Sequence, residues 1–88
     1  MTYGIELTKR AAKELERLPK AIQKRVARWL DVLAMDPRCD GTKQLAGKDS
    51  LRRIHAGKDY VIVYTIFDEA VLVLVLRVAS RREAYRNL

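Results

Sequence analysis

Near the start of the chain, Tyr3, Ile5 and Leu7 alternate with polar or small residues, and this two-residue period predicts a strand buried on one face. At Thr8 the period changes. Ala11, Ala12, Leu15 and Leu18 recur at helical spacing, with Thr8 as the N-cap and Pro19 at the far end. Pro19 can also open a second helix, because its missing N–H is not needed in a first turn. In that helix Ile22, Val26, Trp29, Leu30 and Leu33 form the apolar stripe, and Asp36-Pro37 stops it. The two helices make a hairpin with a very tight connection. Trp29 is expected to anchor the core, while Lys20, Lys24, Arg25 and Arg28 fall on a solvated face.

Residues 38–50 contain two glycines and several polar groups without a period, so a loop is expected there. Three strands follow, near residues 51–56, 60–67 and 70–78, and the short Asp68-Glu69 connection makes the last two an antiparallel hairpin. Both faces of this hairpin are apolar. Such strands belong in the middle of a sheet, with helices over one face and something else, such as a partner protein, over part of the other. The predicted fold is a small single α+β domain: an N-terminal strand, a helical hairpin, then a mainly antiparallel three-stranded meander, in the order β-α-α-β-β-β. On one strand parity Tyr60 and Tyr64 join Ile62 and Ile66, which assigns both tyrosines to packing.

The 88 residues leave room for one domain, and 49% hydrophobic content can fill one modest core. Charge adds more. Eighteen Lys and Arg against eleven Asp and Glu give a formal charge of +7, which attracts polyanions or an acidic protein. Cys39 is the only cysteine, which excludes an internal disulfide and a cysteine-based zinc site within one chain and fits a reducing cytoplasm. The longest apolar run, residues 70–76, is too short to span a bilayer, and no apolar signal stretch follows the first charges. A cytoplasmic protein without membrane association is therefore expected.

The candidate chemistry sits in the last third of the chain, where the apolar strands are bracketed by cations and followed by Arg81, Arg82, Glu83, Ala84 and Tyr85. Guanidinium groups grip phosphate oxygens, and a nearby tyrosine can stack on a base or transfer a proton. This combination points to RNA. Alternation also puts Arg53 and His55, the only histidine, on one face of their strand.

Several segments in order carry a family resemblance: Lys13, Glu14 and Leu15, then Leu45-Ala46-Gly47, Arg53-Ile54-His55, Asp59-Tyr60, Val63-Tyr64 and residues 81–85. The chain resembles the RelE/ParE superfamily of toxins from type II toxin–antitoxin pairs, closest to the RelE branch. That resemblance implies a RelE-like fold and ribosome-dependent cleavage of mRNA, without a metal or other cofactor, by 2′-hydroxyl attack on the adjacent phosphodiester. It assigns catalysis to Arg81 and Tyr85, with Arg53 and His55 beside them. Arg52, Lys58, Lys48, Lys43, Arg82 and Arg86 become RNA contacts. The implied partners are a cognate acidic antitoxin, the ribosome and mRNA, with operator DNA reached only through the toxin–antitoxin complex. Two departures stand out: Val61 occupies a position where the family commonly carries an arginine, and Ser80 one where many relatives have histidine or lysine. Arg52 and Lys58 are the cations that could compensate. A ParE-like inhibitor of DNA gyrase and a catalytically decayed, antitoxin-binding homologue are the alternatives.

Overall fold

The computed structural model describes residues 2–86, with Asp49 described by its backbone. The elements run β1 (Gly4–Leu7), α1 (Lys9–Arg17), α2 (Lys20–Met35), β2 (Lys43–Leu45), β3 (Lys48–His55), β4 (Tyr60–Phe67) and β5 (Leu72–Ser80). The five strands form one sheet in the order β1-β5-β4-β3-β2. It is a mixed sheet: β1 runs parallel to β5, and the other neighbours are antiparallel.

The helices start and stop for local reasons. Thr8 Oγ1 accepts the Ala11 N–H at 3.1 Å, capping α1, and itself donates to the Leu76 carbonyl at 3.2 Å. At the other end of α1 the Gln23 amide of α2 donates to the carbonyls of Leu15, Glu16 and Leu18, at 3.0, 3.1 and 3.0 Å. One side chain thus ties the end of α1 to α2 through carbonyls of the last turn. Pro19 is the N-cap of α2 and Asp36 its C-cap, as the sequence pattern predicts.

The expected loop over 38–50 needs correction. It contains β2 and the first residues of β3, joined by a turn at Ala46-Gly47 in which Gly47 takes φ 73°. Lys43-Gln44-Leu45 is too short to show a period, and pairing with β3 supplies the order its own pattern lacks. The β4–β5 connection is also longer than Asp68-Glu69. Residues 68–71 form a turn closed by the Val71 N–H on the Asp68 carbonyl at 3.1 Å, with Val71 at φ 50°, a strained setting for a β-branched residue. The Asp68 side chain is held at the same time by Arg38, at 3.0 and 2.8 Å, and by the Tyr3 hydroxyl at 2.8 Å.

Among the described residues two apolar clusters stand out. The larger lies between helices and sheet and includes Ala11, Val26, Leu33, Ile54, Ile62, Tyr64, Val73, Val75 and Val78, with Trp29 packed at its margin. Tyr64 is fully buried and its hydroxyl donates to the Pro37 carbonyl at 2.6 Å. The smaller lies on the other face of the sheet: Val61, Val63 and Ala79, covered by Ala84 and flanked by Leu45. The cover over the second apolar face thus includes the chain's own Ala84.

Candidate functional site

Strand alternation and pairing build the site from β3 outward. Arg52 and Ile54 point to the helix side, where Ile54 joins the main core. Arg53 and His55 therefore point to the opposite face, the one that carries Val61 and Val63, their register partners on β4. Lys43 stands opposite Arg53 across the β2–β3 pair. After β5 the chain turns back over this face. The Arg81 N–H donates to the Asp59 carbonyl at 2.9 Å, and the Glu83 and Ala84 N–H groups donate to the Ser80 carbonyl at 3.0 and 2.9 Å. This compact turn drives the Ala84 methyl onto Val61 and Val63 and leaves Tyr85 partly exposed beside them.

A cavity of about 410 Å³ opens at the margin of this face, lined by Gln44, Leu45, Ala46, Lys48, Arg53 and Tyr85. His55 sits close enough to Arg53 and Arg81 to feel both charges. Burial first, then those two cations, hold its imidazole below the ordinary histidine range, so it is neutral near pH 7. The arrangement combines two guanidinium groups, a neutral imidazole and a phenol along one open face. Cations of this kind can hold a phosphodiester while imidazole and phenol exchange protons with it. Among the described residues, no three His, Cys, Asp or Glu side chains stand together as a metal-binding group.

The sequence-derived residues divide by place. Arg53, His55, Arg81 and Tyr85 share the cavity face, Lys48 lines the cavity, and Lys43 stands beside Arg53 on β2. Lys58 lies in the exposed β3–β4 turn, next to the Asp59 whose carbonyl holds Arg81, and Arg82 and Arg86 are exposed after β5. Arg52 departs from expectation as an RNA contact and as a substitute for the missing cation at position 61. It projects to the other face, where Nη2 donates to Thr42 Oγ1 at 2.8 Å and Nε is buried without a hydrogen-bond partner. Alternation with Arg53 dictates this separation. Val61 is fully buried under Ala84, so that position is apolar packing. Arg81 makes no ion pair with Glu83 or Glu69 among the described residues.

Sequence reasoning missed Arg77. It lies within β5 and is 3% exposed, paired with Glu14 of α1 at 2.8 Å. The signal was a lone cation inside an otherwise apolar strand, which calls for a buried acidic partner.

Comparison with known proteins places the chain among toxins. The family model described as the ParE toxin of the type II toxin–antitoxin system parDE matches residues 5–85. A Methanocaldococcus jannaschii protein that carries the name toxin RelE1 is 32% identical over 92 residues, covering 99% of both chains. The mRNA interferase toxin RelE of Escherichia coli K12 is 26% identical over 84 residues, or 96% of this chain and 88% of the relative. Among solved structures, the archaeal RelE–RelB complex from Pyrococcus horikoshii matches with a TM-score of 0.80 and 28% identity, covering 96% of this chain and all of that one.

Proposed function

The chain belongs to the ParE toxin family of type II toxin–antitoxin systems, within the RelE/ParE superfamily, and from that premise we propose that it is a metal-independent, ribosome-dependent mRNA endonuclease. The observation that carries this reading is the convergence of Arg53, Arg81, neutral His55 and Tyr85 on one face, with Arg53 and Tyr85 lining the same cavity. The Escherichia coli relative is itself named an mRNA interferase.

In the proposed reaction a ribose 2′-oxygen attacks the adjacent phosphorus and the bond from phosphorus to the 5′-oxygen breaks, leaving a 2′,3′-cyclic phosphate and a 5′-hydroxyl. Arg53 and Arg81 hold the non-bridging oxygens, where negative charge builds in the transition state. His55 and Tyr85 together take the proton from the 2′-hydroxyl and supply one to the departing oxygen. Lys43 and Lys48 extend the charged rim toward the RNA backbone, with Lys58, Arg82 and Arg86 further out. Each phosphate they neutralise releases counterions and makes binding salt-dependent. The formal charge of +7 suits ribosomal RNA and an acidic antitoxin segment that folds along the toxin. Operator DNA is reached through that complex, and the cytoplasm is where all these partners meet.

Buried Val61 favours a second reading, a ParE-like inhibitor of DNA gyrase that binds without cleaving, because such a protein needs no transition-state cation there. The two separate cleanly in cells expressing the wild type or Arg81→Ala, with mRNA ends mapped on translated and untranslated transcripts. Cuts confined to translated transcripts and absent in Arg81→Ala support the endonuclease. Growth arrest without cuts, with gyrase supercoiling inhibited in vitro, supports the second reading, and no effect on growth, mRNA or gyrase refutes both.

A further inference from the structure

The Arg77 side chain sits at the meeting point of three parts of the fold. Its Nε donates to both carboxylate oxygens of Glu14, at 3.1 and 3.0 Å, and Nη2 donates to Oε2 at 2.8 Å. Its Nη1 donates elsewhere, to the main-chain carbonyl of Arg86 at 2.7 Å. Glu14 Oε1 also accepts the Val78 N–H at 3.1 Å. This backbone group lies beyond the stretch of β5 that β1 covers, Leu72 to Val75, so the carboxylate closes what is otherwise an open sheet edge.

A buried ion pair is a poor source of stability, since two well-packed apolar residues in its place are often neutral or better. Its geometry is what apolar residues cannot supply. A guanidinium is a planar fork with fixed donor directions, and here one part of the fork is locked by Glu14 while the other reaches residue 86. Tyr85 lies between two anchors: Ala84, fully buried on Val61 and Val63, and the Arg86 carbonyl held by Arg77. Ala84 fixes the depth of the turn. The bond to residue 86 fixes its rotation, and so the direction in which the phenol leaves the backbone.

We propose that Arg77, oriented by Glu14, is a positioning residue that aims Tyr85 at the cavity lined by Arg53 and Lys48. It touches no substrate. Its own donors are directed at Glu14 and at the Arg86 carbonyl, so it acts through the main chain. This inference rests on the proposed cleavage reaction for its catalytic consequence, and on the hydrogen-bond geometry alone for its structural one.

Arg77→Lys is the informative change, because it keeps a positive charge opposite Glu14 while a compact ammonium cannot fork between a carboxylate and a distant carbonyl. Cleavage of mRNA on translating ribosomes is measured for the wild type, Arg77→Lys, Tyr85→Ala and the double variant. A misplaced catalytic group costs roughly ten- to hundredfold, so Arg77→Lys lowers kcat by that factor with KM nearly unchanged. In the Tyr85→Ala background it has no further effect, because the group it aims is gone. An equal loss in both backgrounds overturns the proposal and leaves Arg77 as ordinary scaffolding. If Arg77→Lys does not fold, Glu14→Gln, which unlocks the fork at its other end, gives the same comparison. If the wild-type protein cleaves no RNA, the proposed function fails by itself and hydrogen exchange decides the positioning claim. Faster exchange at the amides of residues 83–86 in Arg77→Lys, with β4 unchanged, supports it, and unchanged exchange at those amides overturns it.

Discussion

Val61→Arg puts back the side chain that relatives commonly carry, and the packing predicts that it fails. Val61 is fully buried with Val63, Ala79 and Ala84 around it. An arginine there has two options. If the guanidinium stays under Ala84 it is an uncompensated buried charge, which costs about 3–5 kcal/mol. If it pushes the turn away, the two methyls of Val63 and those of Ala79 and Ala84 meet water, and four such groups at about 0.8 kcal/mol each cost about 3 kcal/mol. Either route removes a large part of the roughly 5–15 kcal/mol that stabilises a domain. For a chain of this size it lowers Tm by about 12 °C or more. The second route also carries Tyr85 away from Arg53, so mRNA cleavage does not rise. Urea unfolding and mRNA end mapping on Val61→Arg, with Val61→Ala as the apolar control, read both effects. An arginine variant as stable as the wild type and faster at cleavage would refute the claim that position 61 is packing.

Tyr64→Phe leaves the buried Pro37 carbonyl without its donor and is expected to cost about 1–3 kcal/mol by urea unfolding, whereas a cost near zero means that water reaches this carbonyl. Asp68 accepts from Arg38 and Tyr3, which hold its carboxyl down at about 2 from the ordinary 3.8. A carboxyl with a lowered folded-state pKa stabilises above its unfolded value and loses that contribution as pH falls toward 2, so Asp68→Asn flattens the acid-unfolding curve between about pH 4 and pH 2; an unchanged curve contradicts this. His55 accepts protons only when neutral, so if it serves as the base of the proposed cleavage, its lowered pKa is expected to put the acid limb below 6.5, with rate rising as pH rises and then flat through neutrality. His55→Ala abolishes that limb, and a wild-type rate for this variant removes His55 from the reaction.

Much of this was legible because its causes are local. The helices follow from a 3.6-residue apolar period with caps at Thr8 and Asp36, and the β4–β5 hairpin from two apolar runs around a turn. The separation of Arg52 from Arg53 and His55 is implicit in alternation, although the family resemblance implied an RNA contact for Arg52 alongside catalytic places for Arg53 and His55. What stayed hidden depends on partners outside each segment's own pattern. β2 has three residues and exists because β3 pairs with it. Burial of Val61 depends on Ala84, and the tolerance of a cation at Arg77 depends on Glu14, 63 positions earlier in the chain. No window of neighbouring residues contains either relation.

The parallel pairing of β1 with β5 governs when this molecule can exist. Gly4 meets Leu72 and Leu7 meets Val75, so a strand synthesised early has no neighbour in the sheet until almost seventy further residues have been made. Helical hairpins form from local contacts, but a strand with so remote a partner must wait, and loop closure over that length is slow. Tyr85 is translated later still. A nascent chain therefore carries the helices and the basic β3 residues past the ribosome that makes it without an assembled cavity. The proposed site includes Tyr85 and so is assembled only after β5 and the turn that follows it have been made.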